Sequence, residues 1–212
     1  MRSGHLRPLL PSLIALCSLV LSAADGPTLT IPLVWKPTSA LLPAAGTINL
    51  TPFANLKIAL QPLVDHRQEK GLLGENVEKA KPRFVGTSDD VALFVTQRLL
   101  ALLQEPGLPL TEKAEGAATV LSGELLRFHV TEKDTYQGEF RAMLQIHSEG
   151  KLLWKGLAVG QATRFGRSYK AENYHEVLCD SLVEAVSRLI ADKVFLEALA
   201  GRSAGPALPA AN

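Results

Sequence analysis

The sequence predicts an α+β fold: a two-layer sandwich with a largely antiparallel sheet and two helices packed on one face. Three observations predict it. Three long segments of alternating character lie in the middle of the chain, separated only by EKDT and SEG, connections short enough for hairpins. One segment with apolar residues at helical spacing precedes this meander and another follows it. The resulting order is strand, strand, helix, three strands, helix. Two helices are too few to cover both faces of so wide a sheet, so they share one face.

The chain begins with a basic stretch, Arg2, His5 and Arg7, followed by the apolar run LLPSLIALCSLVLSAA from Leu9 to Ala24. Ser22 and Ala24 occupy the small-residue positions before Asp25. This is the grammar of a secretory signal peptide over residues 1–24. The run is shorter than the roughly 20 apolar residues that a spanning helix needs. Cys17 is preceded by Leu16 rather than a small residue, and it lies inside the apolar run rather than at its end. It therefore reads as a small hydrophobe of the leader, and membrane association is expected only if the chain is lipidated or left uncleaved. Cleavage would remove Arg2, Arg7 and no acid, taking the formal charge from +1 to −1. A near-neutral chain has no electrostatic case for nucleic acid. Only Cys179 would remain, so an intramolecular disulfide is excluded.

Residues 25–55 read as an extended lead-in with one strand, TLTIPLVW at Thr28–Trp35. Residues 56–200 form the α+β domain. Its first strand is Leu56–Asp65, with Pro62 marking a sheet edge or a bulge. HRQEKGLLGENVEKAKP lacks core periodicity and reads as a loop, followed by a short extended piece at Arg83–Gly86. Thr87 or Ser88 can cap a helix in which Val91, Val95, Leu99 and Leu102 recur, ending near Glu105 before Pro106-Gly107. The meander strands are about 118–131, 136–147 and 151–164. Phe140, Ala142, Leu144 and Ile146 line one face of the second, and Glu139, Arg141 and Gln145 the other. A long helix then runs from about Glu172 to Leu199 with Tyr174, Leu178, Leu182, Ala185, Leu189 and Ile190 as its core stripe. Residues 201–212 read as a disordered tail.

Few residues suggest chemistry. His175 and Cys179 share a helical face, but no third ligand accompanies them, so core packing is preferred and no metal is expected. There is no Gly-x-Ser-x-Gly elbow, and the Gly71–Gly74 pair is followed by Glu75, the wrong charge for a phosphate cradle. Asp89-Asp90 reads as first-turn acids, and Glu132 and Asp134 as hairpin-turn polars. No catalytic residue and no cofactor is assigned. The unusual stretch is Ala162–Tyr174, where three cations, three aromatics and a glycine feed a helix N-terminus. It reads either as a recognition loop or as a structural corner.

Four stretches resemble a known family. Val64-Asp65-His66-Arg67 with Leu73-Gly74-Glu75-Asn76 is similar to the strand end and "D-x-R…I-G-E-N" loop of the YajG-type envelope lipoproteins. Thr87–Leu99 resembles their first helix, with its Asp-Asp-Val start. Ser122–Leu125 through Lys133–Tyr136 resembles their "S-G-x-L…E-x-x-T-Y" hairpin, and Arg164–Tyr169 with Glu172–Tyr174 their strand-to-helix corner. The resemblance implies an exported protein, periplasmic or secreted and in some cases outer-membrane associated, of unsettled activity. The expected function is that of a non-enzymatic binding or accessory protein of the bacterial cell envelope. Its partner would be an envelope protein or a cell-wall or lipid component. Candidate partner-binding residues are Arg164, Phe165, Arg167, Tyr169 and Tyr174 at the corner, and Asp65 and Arg67 in the first loop. The alternative is a hydrolase with a cryptic site in the same loops.

Overall fold

The computed structural model describes residues 29–42 and 47–202. The leader expected over residues 1–24 lies outside them, as does all but the start of the expected tail. The framework is the meander. Strand β7 (Thr119–Glu132) pairs antiparallel with β8 (Thr135–Ser148), and β8 with β9 (Lys151–Phe165). In β8 every second residue from Tyr136 to Ile146 is buried, as its alternation predicts.

The other edge of β7 is served by three short strands in succession. They are β2 (Ile58–Leu60), β3 (Val64–Asp65) and β4 (Leu72–Asn76), all parallel to β7. The expected single strand at 56–65 is thus two. Pro62, which has no amide to donate, falls in the break between them. Strand β5 (Arg83–Gly86) pairs antiparallel with β4, and β1 (Leu29–Thr30) adds in parallel beyond it. Of the expected strand 28–35, the described residues form a strand only at Leu29–Thr30, and Ile31 N adds one more hydrogen bond, to the Gly86 carbonyl at 2.9 Å. A further two-residue strand, β6 (Leu110–Thr111), pairs with β2. Long antiparallel ladders thus carry most of the sheet, with short parallel pairings on one side.

Strand β4 corrects the reading of residues 66–82 as loop. It lies between β5 and β7, so hydrogen bonds on both edges hold it. Its Gly74 approaches β7 so closely that a Cβ there would sit 2.5 Å from the Val130 carbonyl oxygen. A five-residue strand with a glycine and a glutamate at its centre is specified by its neighbours and not by its own side chains.

Helix α1 (Val91–Gln104) starts at Asp90, whose carboxylate accepts from the Leu93 amide at 2.9 Å. The cap is therefore Asp90 and not Thr87 or Ser88, and Asp89 turns away to accept from Leu33 N at 2.7 Å. The expected long C-terminal helix is two: α2 (Ala171–Ala191) and α3 (Lys193–Leu199). Asp192 breaks it by taking an extended conformation (ψ 109°) and capping Val194 N at 2.8 Å, an alternative that aspartate offers the backbone. Three helices therefore cover the sheet instead of two. α2 lies directly on β8 and β9. A Cβ on Gly138 would overlap Val177, and one on Gly160 would overlap the Ser181 carbonyl. The core stripe of α2 is buried as expected, with Leu182 inaccessible.

Candidate functional site

The corner between β9 and α2 is organised around one buried carboxylate. Glu132, the last residue of β7, is fully enclosed. Its Oε2 accepts from the Tyr174 hydroxyl at 2.6 Å and its Oε1 from the Tyr169 amide at 2.9 Å. The Tyr136 and Tyr174 rings meet edge-to-face at 5.3 Å, and Tyr169 meets Tyr174 likewise at 6.3 Å. The Tyr136 hydroxyl accepts from Ser168 N at 3.1 Å. Tyr169 has φ +46°, a conformation that costs energy outside glycine, and it is pinned at both ends. Its amide bonds Glu132, and its hydroxyl donates to the Phe84 carbonyl at 3.0 Å. The Arg83 guanidinium stacks 3.9 Å from its ring centroid.

Burial alone would raise the Glu132 carboxyl. The Tyr174 hydroxyl, with Asn76, Tyr136 and the Tyr169 amide, outweighs it and holds the group below its ordinary range. Asn76 of β4 lies beside Glu132, with the Asn76 Nδ2 buried without a hydrogen-bond partner. Tyr174 is pushed up, by burial and then by the hydrogen bond and charge of Glu132.

The cations of the corner are mostly engaged. Arg164 pairs with the buried Glu176 of α2, which Lys36 also approaches at 3.2 Å. Arg167 pairs with Asp134 across the β7–β8 turn. Phe165 differs: it is 89 % exposed, at the end of β9, on a backbone fixed by everything beneath it.

Asp65 and Arg67 are not brought to this corner. Asp65 stands opposite Leu125 and Asn76 opposite Glu132, so roughly 20 Å of β7 separates the two places at about 3.3 Å per residue. Arg67 is buried and holds Asp65 bidentately, at 3.0 and 2.9 Å. It also donates to the carbonyls of Leu72, at 3.1 Å, and Lys70. These contacts lower the Asp65 carboxyl against the upward push of burial. They close the loop that leads into β4.

Two features escaped the sequence reading. Glu132 was expected as a turn polar. The only sequence signal for its role is the tyrosine density around it, and its partners come from segments 76, 136 and 169–174. The lead-in is an ordered strap across α2. His175 Nε2 lies 2.8 Å from the Pro32 carbonyl oxygen, and Lys36 N donates to Cys179 Sγ at 3.2 Å. Asp180 accepts from the amides of Thr38 and Ser39 at 2.7 and 2.8 Å. The helical spacing of His175 and Cys179 thus serves to bind this strap.

No family model matches the chain, and no curated protein matches it in sequence. Solved structures do match. The chain is similar to protein XCC0632 from Xanthomonas campestris, of family DUF330, with 9 % identity and a TM-score of 0.50 over 82 % of this chain and 94 % of that one. The likeness is one of fold. Hypothetical protein CT253 from Chlamydia trachomatis aligns over 69 % of this chain and 99 % of its own, at 12 % identity and a TM-score of 0.44. Lipoprotein GNA1162 from Neisseria meningitidis aligns over 64 % and 98 %, at 15 % and 0.35. This α+β architecture is thus shared by a DUF330 protein.

Proposed function

We propose that this is an exported cell-envelope protein, related to the YajG-type lipoproteins, that works by binding a partner protein rather than by catalysis. The observation that carries the reading is Phe165. It stands almost fully exposed beside Arg167 on a corner made rigid by Glu132 and its three tyrosines. Aromatic side chains and arginines are the residue types over-represented among the hot spots of protein interfaces. The leader-like N-terminus supports the compartment. The engagement of Arg67, Arg164 and Glu132 in internal contacts supports binding over hydrolysis, because a catalytic group needs a free face toward its substrate.

The test is site-specific photo-crosslinking in intact cells. A crosslinking residue at position 167 is expected to capture one discrete partner, and Phe165→Ala in the same chain is expected to abolish that band. The same residue at Leu93, exposed on α1, serves as the control. Phe165→Ala should leave stability within about 0.5 kcal/mol, as for a surface site. A band that survives Phe165→Ala, or no band beyond the control, overturns the reading.

A further inference from the structure

Strand β9 ends the sheet. It pairs with β8 on one edge, and no strand among the described residues pairs with the other. The direction of its free groups follows from one contact. Gln161 N donates outward to Glu184 Oε2 of α2 at 2.6 Å, so it does not serve β8. In an antiparallel ladder, residues two apart direct their amides and carbonyls to the same side. Lys155, Leu157 and Val159 therefore also present N–H and C=O outward, with no strand among the described residues to receive them. The ladder is regular through this stretch, its register shift lying nearer the hairpin, opposite Ile146 and His147.

A groove of about 290 Å³ runs beside Leu157 and Val159, between the strand edge and α2. Ala185 and Leu189 form its floor, and Arg188 and Asp192 stand on its rim one helical turn apart. Leu157, 47 % exposed, lies at the middle of the free segment. Such an edge is a template for strand addition, and natural proteins usually blunt it. Here Glu184 blunts it at Gln161 and leaves 155–159 open.

We propose that β9 pairs with β9 of a second copy of this chain, antiparallel about a two-fold axis at Leu157. Three features single out a second copy among extended segments. Two Leu157 side chains meet on the axis, and each Lys155 stands opposite a Val159, so like charges are not apposed. Pairing about an axis perpendicular to the sheet puts both α2 helices on one side. Arg188, which also pairs with Glu184 of its own helix, and Asp192, whose second carboxylate oxygen lies beyond its cap of Val194, are rim residues of opposite sign and then face Asp192 and Arg188 of the second copy, a self-complementary arrangement that a two-fold interface requires. Lastly, the open residues 155, 157 and 159 are symmetric about the axis, so every outward N–H finds a carbonyl.

The protein is expected to sediment at twice the chain mass. Leu157→Pro removes the axial N–H while keeping a conformation that an edge strand tolerates, and it should return the particle to the chain mass. Residues on the axis lie about 5.5 Å apart between Cα atoms, within disulfide reach. Leu157→Cys should therefore form a cross-linked dimer under mild oxidation, whereas Val64→Cys, exposed on β3, should not. If Leu157→Pro loses its circular dichroism, the cysteine pair decides. A monomer at all concentrations overturns the proposal. So does a dimer that Leu157→Pro leaves intact, or one in which Leu157→Cys cross-links no better than Val64→Cys.

Discussion

Glu132 is the point at which the corner should fail. It is fully buried and holds the Tyr174 hydroxyl and the Tyr169 amide at the same time. Hydrogen bonds to a charged group contribute about 1.5–3 kcal/mol each, and a buried donor left without a partner costs about as much. Glu132→Ala removes the acceptor of both donors and is expected to cost about 3–5 kcal/mol. In a domain of this size that is a fall in Tm of roughly 6–20 °C, at 2–4 °C per kcal/mol. Glu132→Gln keeps one carbonyl acceptor, loses the charge, and should cost about half as much. A double-mutant cycle of Glu132→Gln with Tyr174→Phe isolates the hydroxyl bond and should give a coupling of about 1.5 kcal/mol or more. The pH dependence follows from the depressed carboxyl. Its contribution is fully present above the unfolded-chain value, about 4.3, and is lost as pH falls through the lower folded value. The stability gap between wild type and Glu132→Gln should therefore be constant near neutrality and narrow below about pH 4. Urea melts of the four proteins across this range measure all of it. A coupling within error of zero, or a gap that widens in acid, would refute the view that Glu132 is ionised and holds the corner.

Two further outcomes test the packing. Gly160→Ala should cost about 3 kcal/mol or more by urea denaturation, because its Cβ would fall on the Ser181 carbonyl of α2, whereas Gly71→Ala, with only an ordinary 3.5 Å contact to Thr87 O, should be near neutral. Equal stability of the two variants would mean that α2 does not lie on β9 as closely as described. The Cys179 thiol is pushed up to about 11, by burial first, and should resist a thiol-specific chromogenic reagent at pH 8 in the folded protein and react fully in guanidinium. Labelling of native protein at the rate of a free thiol would show that the strap over α2 is open.

The parts of the fold that were legible in the sequence are those whose signals are local. The meander announced itself through alternation and two short turns, and α2 through the stripe from Tyr174 to Ile190. What was hidden depends on partners far along the chain. Strand β4 carries a glycine and a glutamate where a strand would advertise branched apolar residues, and it exists because β5 and β7 supply both its ladders. Asp192 differs from any other polar residue of an amphipathic pattern only in that its carboxylate turns to cap Val194 and ends one helix to begin another.

The corner extends the same reasoning to function. Ala162–Tyr174 stood out by composition, and composition could not say which of its aromatics and cations were structural. The structure separates them by what lies beneath. Tyr174 gives its hydroxyl and Tyr169 its amide to a carboxylate contributed by β7, the Tyr169 hydroxyl goes to the Phe84 carbonyl, and Arg164 reaches across to α2, so the crowded loop spends most of its unusual residues on its own rigidity. Phe165 is left over because β9 ends there: an alternating strand sends Arg164 to the helix face and Phe165 to the opposite one, where no element follows to cover it. An aromatic on a backbone already held by the hydrogen bonds of the corner leaves only its own side-chain rotamers to be ordered on binding. That is the physical basis of the proposal that Phe165 carries recognition, and of the expectation that the tyrosines matter through stability alone.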